Sequence, residues 1–589
     1  MGVDVNVRVS GGAGQGVHTV GGLFSRLAVA AGHHFHVTQD YMSRIRGGRN
    51  SQAIRVAAEP VRAGREEADI LLALSAEHLP HFLPTLSEGG FALADAPPGP
   101  ARLVSVPLKE MAGAAGSPVL ANVVGAGAIA FALGFPLEAA EPVFAADFKG
   151  DFREKNLKAF RLGAAWAEAN LPGGFAERFR LPRASPSRRL ILSGNEALAL
   201  GAIAGGCKFA AGYPMTPGTG ILSVLADEGP KVGLVFEQAE DEIAALNMAI
   251  GASYAGARAM VATSGGGFAL MVEALSLAGM LETPVVVAVG MRPGPATGMP
   301  TRTEQGDLDF VLSAGHGEFP RIVLAPGSPE EAFDLAQRAM ELAEEFQAPV
   351  IVLTDQYLAD TVTDVDPADL EIRPVRRSIV RGADVPRTPE GRYHRYADSE
   401  DGVSPLAAPG EPGIVVVSGS DEHTEDGHLT EDHAARIRMV EKRMRKGRSI
   451  ALRVVPPLVS GPPNGDALLV GFGSTKDVIA ETRSALAREG IATAAAHLRQ
   501  VWPFPAQAMA EIARRYETVF TVENNAQGQL ARLIRRESGA DVDGTFSRYD
   551  GLPFTPGTLA PEARRRIWEA LTTRASRTRG ARGAGTSGS

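Results

Sequence analysis

Residues 284–289, PVVVAV, form an apolar run without one polar position, and largely apolar runs recur at 258–263, 322–324 and 349–354. A strand with one face in water alternates apolar and polar side chains. Runs of this kind therefore belong in a parallel sheet that helices cover on both faces. The stretches between them supply those helices, at 237–251, 268–281 and 329–346. Residues 190–363 thus read as a doubly wound α/β domain, and ligands on such sheets bind beyond the carboxyl ends of the strands.

The same alternation appears twice more, so the fold class is α/β with three domains. Residues 3–170 open with a strand (3–10), a glycine turn (GGAGQG, 11–16) and a helix (18–31). With further strands at 70–74 and 91–94 they predict a parallel or mixed sheet. From residue 467 the segment 464–572 alternates strand and helix again, as a second small doubly wound domain. Between these lie a linker at 171–189 (LPGGFAERFRLPRASPSRR) and a mixed-charge connector with one helix at 364–463. Residues 573–589, rich in Gly, Ser and Thr and carrying Arg574, Arg577, Arg579 and Arg582, read as a disordered tail.

Three stretches of the central domain fall where strands should end. In 212–219, GYPMTPGT, Pro214 and Pro217 fix φ on either side of Thr216 and hold one hydroxyl in a set place. At 237–242 four acidic groups, Glu237, Glu240, Asp241 and Glu242, stand where a strand at 232–236 gives way to a helix. A carboxylate at a helix start is by itself also a dipole partner or a solvated charge. Residues 290–305, GMRPGPATGMPTRTEQ, leave no room for a helix and carry Arg292 and Arg302, either of which can grip a carboxylate bidentately or stand solvated.

Other features carry weaker signals. The GGAGQG turn could cradle a phosphate, but tight strand-to-helix packing needs the same glycines, and the acidic residue of a dinucleotide site is not well placed. YMSRIRGGRN (41–50) sets three arginines beside a glycine pair and suits an anion such as a coenzyme A phosphate, a subunit contact or solvent. In DEHTEDGHLTED (421–432), His423 and His428, with His433 just beyond, lack a helical i, i+4 pair or a cysteine partner; a turn and a capped helix explain them, and no metal is assigned. The single cysteine, Cys207, cannot supply the thiolates of an iron–sulfur cluster and reads as a small buried hydrophobe. A net charge of −9 disfavours nucleic acid as a partner. No apolar run reaches the roughly 18 residues that span a bilayer, and the opening VNVRVS reads as a strand, so neither membrane nor export is expected and the location is read as cytoplasmic.

GYPMTPGT, EDEIAALNMAIGASYAGARAMVATSGGGF (240–268), GMRPGPATGMPTRTEQGDL (290–308) and the late pair RQVWPFPA…VENNAQGQLARLIRRE resemble, in order and spacing, the alpha subunit of 2-oxoacid:ferredoxin oxidoreductases, which are thiamine-diphosphate enzymes. The likeness covers about residues 3–570. It implies a gamma-type domain fused in front, a pyrimidine-binding domain at 190–363 and a transketolase C-terminal-like domain at 464–572. Met215, Gly218 and Gly266 depart from the commoner Ile, Ser and Pro, and Gly218 loosens its loop.

The resemblance also implies roles. Glu242 matches the glutamate that meets the cofactor's aminopyrimidine, with Glu240 and Glu237 as alternatives one turn away, and Tyr213 and Pro214 fall in the cofactor-binding set. Thr216 and Arg292 match the threonine and arginine that hold the substrate's keto and carboxylate oxygens, with Arg302 in reserve. No GDG loop with a following Asn is present, so the diphosphate, its Mg2+ and the iron–sulfur cluster are expected on a beta subunit, in an (alpha-beta)2 assembly. The implied reaction is oxidative decarboxylation of a small 2-oxoacid, with coenzyme A as cosubstrate and ferredoxin as electron acceptor. The gamma–alpha fusion favours 2-oxoglutarate; pyruvate or branched-chain acids, a non-catalytic scaffold and a nucleotide-dependent oxidoreductase are the alternatives.

Overall fold

The computed structural model describes residues 3–42, 48–97, 99 and 102–584, without the side chains of 176, 575 and 577–584. Two compact units emerge. The first gathers the residues up to Ser193 with Asp360–Asp369 and Thr555–Gly557; the second takes Gly194–Ala359, Leu370–Phe554 and the residues from Thr558 on.

The first unit is built on an eight-stranded mixed sheet. Asp4–Gly11 lies parallel to Ala68–Ala73 and antiparallel to Asn50–Ala57, and its Val5, Val7 and Val9 are fully buried. Beneath the sheet, Ala121–Leu133 packs on Gly150–Asn170 through glycines. A Cβ on Gly163 would lie 1.9 Å from the Val124 carbonyl, so only glycine permits this approach. Leu190–Ser193, at the start of the 190–363 stretch that the sequence assigns to the central domain, instead pairs antiparallel with Val362–Val365, which pairs with His34–Asp40. Nor is 171–189 simply a linker: Phe175 stacks on Phe91 at 4.9 Å, and Phe179 and Leu181 are buried. Arg44 and Arg46 of the YMSRIRGGRN segment lie outside the described residues.

In the second unit a seven-stranded sheet runs Gln500–Trp502, Ile322–Leu324, Pro349–Asp355, Val285–Met291, Ala259–Ser264, Phe209–Gly212, Val235–Gln238. All neighbours are parallel except the first pair. Burial on both faces is explicit in the central strand: Val285, Val287 and Val289 enter one core, while Val286 and Ala288 enter the other. The helix expected over 268–281 is two helices, Gly265–Leu270 and Val272–Met280, meeting at Met271. Cys207 is 1% exposed and burial pushes its thiol up to about 12.

A five-stranded sheet, centred on Gly465–Phe472 between Thr493–Leu498 and Tyr516–Glu523, completes the unit. The stretch 364–463 is better anchored than a surface connector. Its Arg395 and the helix residues Lys442 and Lys446, all at most 2% exposed, close on Glu282, whose carboxylate lies 2.7 Å from Lys442 Nζ. Burial drives the Glu282 carboxyl up, but Lys446, Lys442 and Arg395 outweigh it and hold it well below the carboxylate range. The last helix, Pro556–Ala584, runs through the first part of the stretch expected to be disordered; 585–589 lie outside the described residues. Among the described residues no helix is long and apolar enough to cross a membrane.

Candidate functional site

The carboxyl ends of the parallel strands in the seven-stranded sheet carry the site. Ala259–Ser264 ends in Thr263 and Ser264, both fully buried, and passes directly into the short helix Gly265–Leu270. Val285–Met291 delivers Arg292, and Phe209–Gly212 delivers the GYPMTPGT loop.

Glu242 is the first residue of the helix Glu242–Tyr254 and is only 2% exposed. Its neighbour Asp241 caps the helix, accepting from the Ala244 amide at 2.7 Å, which leaves the Glu242 carboxylate uncommitted to the helix end. Glu242 Oε1 is buried and has no hydrogen-bond partner among the described residues. Glu237 and Glu240 are exposed. A buried carboxylate without a partner is costly, so its presence marks a place where something else is meant to bind.

Glycines hold the surrounding pieces close. A Cβ on Gly267 would lie 2.1 Å from Thr263 Oγ1 and 2.5 Å from Glu242 Oε1. A Cβ on Gly218 would lie 2.8 Å from the Thr263 carbonyl, and one on Gly290 would lie 2.6 Å from Pro217 Cγ. The loop 216–218 is therefore seated on the ends of two adjacent strands, next to the pair formed by Thr263 and Glu242. Asn195 donates from Nδ2 to the Pro217 carbonyl at 3.0 Å and braces this loop.

Thr216 is half-buried, and its carbonyl accepts from Arg292 Nη1 at 2.8 Å. This bond ties the GYPMTPGT loop to the arginine loop. Tyr213 is 41% exposed and Pro214 is exposed, so both stand on the rim. Arg302 lies at the far end of the arginine loop: Gly551 approaches so closely that a Cβ there would be 3.1 Å from the Arg302 Cβ.

Gln305, the last residue of the arginine loop, holds it in place. Its amide donates to the Asn524 carbonyl at 2.6 Å and its Nε2 to the Phe472 carbonyl at 2.9 Å, while its Oε1 accepts from the Asn524 amide at 3.1 Å. All three bonds reach the five-stranded sheet, whose strands thus support the site from behind. Asp307 follows. Its carboxylate packs over Gly265, where a Cβ would be 2.1 Å from Oδ2. Burial pushes Asp307 up to about 6, with Arg292 pulling the other way, and burial together with Asp307 raises Glu304.

Thr263, Ser264, Gly267, Gln305 and Asp307 were not singled out in the sequence. Each falls inside a quoted segment, but Thr263 reads there only as the end of the run 258–263, and the others carry no signal of their own. The unpartnered state of the Thr263 and Ser264 hydroxyls appears only once the chain is folded.

Elsewhere, the GGAGQG turn is occupied by its own side chains. Gln15 Oε1 accepts from the Gly12 amide at 2.7 Å and from Ser75 Oγ at 2.9 Å, and Gly14 and Gly16 take φ of 88° and 76°. His423 stacks on Tyr396 with centroids 3.8 Å apart, and its ring nitrogens face the Thr424 and Met280 carbonyls. Asp432 caps the following helix through the Ala435 amide.

Comparison with known proteins gives consistent matches along the chain. Residues 200–442 match the family described as "Pyruvate flavodoxin/ferredoxin oxidoreductase, thiamine diP-bdg", residues 6–166 "Pyruvate ferredoxin/flavodoxin oxidoreductase", and residues 465–556 "Pyruvate:ferredoxin oxidoreductase core domain II". The chain is 33% identical to 2-oxoacid:ferredoxin oxidoreductase 2, subunit alpha, of Aeropyrum pernix, over 96% of this chain and 98% of that one. It is 30% identical to the 2-oxoglutarate oxidoreductase subunit KorA of Mycobacterium tuberculosis, over 96% and 92%. Among solved structures, the 2-oxoglutarate:ferredoxin oxidoreductase from Magnetococcus marinus, with 2-oxoglutarate, coenzyme A and succinyl-CoA bound, aligns at a TM-score of 0.88 and 31% identity over 96% of this chain and all of that one.

Proposed function

The chain belongs to the 2-oxoacid:ferredoxin oxidoreductase family, among its alpha subunits, and from that premise we propose that it binds the aminopyrimidine half of thiamine diphosphate and the substrate in the oxidative decarboxylation of a 2-oxoacid to its acyl-CoA. Bound thiamine diphosphate supplies the electron sink that this carbon–carbon cleavage needs. The observation that carries the reading is the unpartnered Glu242 Oε1, buried at the carboxyl end of the sheet beside two unpartnered hydroxyls. A ring with hydrogen-bonding nitrogens at its edge fits such a set.

In this reading Glu242 holds or releases a proton at the ring nitrogen. Arg292, tied to the Thr216 carbonyl through Nη1, presents its remaining donors to the substrate carboxylate, and the Thr216 hydroxyl meets the keto oxygen. Tyr213 and Pro214 form the rim beside the cofactor, and Arg302 lines the outer part of the loop. The proposed substrate is 2-oxoglutarate, supported by the names of the Mycobacterium tuberculosis and Magnetococcus marinus relatives. A beta subunit carrying Mg2+ and an iron–sulfur cluster, an (alpha-beta)2 assembly, ferredoxin as acceptor and a cytoplasmic location complete the proposal.

Co-expression with the beta subunit, followed by assay of 2-oxoacid- and coenzyme A-dependent reduction of a one-electron acceptor, tests it. Glu242→Ala should abolish turnover while the complex still assembles. Undiminished turnover in that variant would leave a scaffold role instead.

A further inference from the structure

Beside the site stands an ionisable group that the cofactor and substrate reading does not use. Asp307 opens the helix Leu308–Ser313 yet makes no cap hydrogen bond with it. Its half-buried carboxylate lies instead against Gly265, just past the end of the strand Ala259–Ser264; a Cβ there would be 2.1 Å from Oδ2 and 2.9 Å from Oδ1. Arg292 is near enough for its charge to act on Asp307, but its Nη1 is spent on the Thr216 carbonyl, and the two side chains form no ion pair among the described residues. A carboxyl and a guanidinium held close without pairing both keep capacity for a third group.

Arg292 and Glu304 are the charged groups that face Asp307. The helix Gly265–Leu270 and the GYPMTPGT loop carry no charge, the Glu242 carboxylate lies over Gly267, and Asp309 on the following helix is paired with Arg532. A substrate carboxylate gripped by Arg292 therefore comes up against Asp307, and when two carboxylates share one site, one of them keeps its proton.

We propose that Asp307 is a substrate-binding residue, which as a neutral carboxylic acid donates a hydrogen bond to the substrate carboxylate held by Arg292, so that binding takes up a proton from solvent. The inference rests on the reading of Arg292 given above. Burial already prepares the group: it pushes Asp307 up to about 6 against the pull of Arg292, and an anion on Arg292 offsets that pull. Affinity is then level below about pH 6 and falls as pH rises above it, because the free enzyme has lost the proton that the bound state keeps.

The test uses the assembled complex loaded with thiamine diphosphate. The probe is 2-hydroxyglutarate, which carries the carboxylates of 2-oxoglutarate but has no keto group to react. Calorimetric titration at about pH 7 in two buffers of different ionisation heat counts the protons taken up, and titrations from about pH 6 to about pH 8 give the dissociation constant. Wild type should take up more than about half a proton per ligand and lose affinity at least roughly tenfold across that range. Asp307→Asn, which still donates but cannot ionise, should bind without uptake and with level affinity. Glu304→Gln should behave as wild type.

Binding without uptake in wild type overturns the proposal, as does uptake that persists in Asp307→Asn or disappears in Glu304→Gln. If Asp307→Asn does not assemble, the wild-type and Glu304→Gln proton counts decide. Arg292→Ala separates this inference from the reading beneath it. If that variant loses binding while Asp307→Asn keeps the uptake, the role of Asp307 alone is wrong. If it binds 2-hydroxyglutarate as tightly as wild type, or wild type does not bind it, the substrate reading falls and takes this inference with it.

Discussion

Adjacent glycines at the start of the Gly265–Leu270 helix offer a matched pair of substitutions with opposite expected outcomes. A Cβ on Gly267 would stand 2.1 Å from Thr263 Oγ1 and 2.5 Å from Glu242 Oε1, where ordinary contact begins at 3.4 Å, so Glu242 must retreat by about 1 Å. On the proposed role of Glu242, displacement by that distance costs about 100-fold in rate, and forcing a methyl into packed surroundings costs about 1–3 kcal/mol of stability. On Gly266 a Cβ would meet only the Ala296 carbonyl, at 3.7 Å, and the residue is exposed. There alanine should be neutral or stabilise the helix by about 0.5–1 kcal/mol. The assay is 2-oxoacid-dependent reduction of a one-electron acceptor by the assembled complex, at saturating thiamine diphosphate, alongside a thermal melt. Gly267→Ala turning over at the wild-type rate, or Gly266→Ala losing as much as its neighbour, would refute the steric argument.

Removing the carboxylate from the buried cluster, as Glu282→Gln, leaves Lys442, Lys446 and Arg395 facing one another without a counter-ion. Breaking a buried pair in this way costs about 3–5 kcal/mol, seen as a lower unfolding midpoint, and adding Lys446→Met should recover part of it. Asp307, pushed up to about 6 by burial, binds a proton in the folded chain at pH values where the unfolded chain has released it. Stability from this group therefore falls as pH rises from 3.8 to about 6, by at most about 3 kcal/mol. Asp307→Asn should remove that slope, and its stability relative to wild type should be higher above the window than below it; an unchanged difference in denaturant melts would contradict the burial argument.

Much of the fold was legible because burial writes itself into composition. PVVVAV can only be an interior strand, and in the structure its alternate side chains do enter two cores. The neighbour of a strand is less readable. Leu190–Ser193 looks the same whichever sheet it joins, and its partner, Val362–Val365, stands far along the chain. The break at Met271 escaped because no glycine or proline marks it.

At the site the contrast is similar. Thr216, Glu242 and Arg292 could be named from segments that resemble a family, and the Arg292–Thr216 bond joins two of them. Thr263 and Gln305 could not, since a threonine ending a strand and a glutamine in a loop carry no local signal. Their significance lies in what the fold fails to give the first and gives the second: no acceptor for one, and three bonds to a distant sheet for the other.

Cys207 has a practical corollary. A sulfhydryl enclosed by the core, with its ionisation driven to about 12, offers almost no thiolate to an electrophile at neutral pH. The native subunit is thus already blank toward maleimide reagents. A cysteine introduced at the 48%-exposed Met299 on the arginine loop would accept a single fluorophore without any background to delete, and would let movement of that loop be followed by its emission.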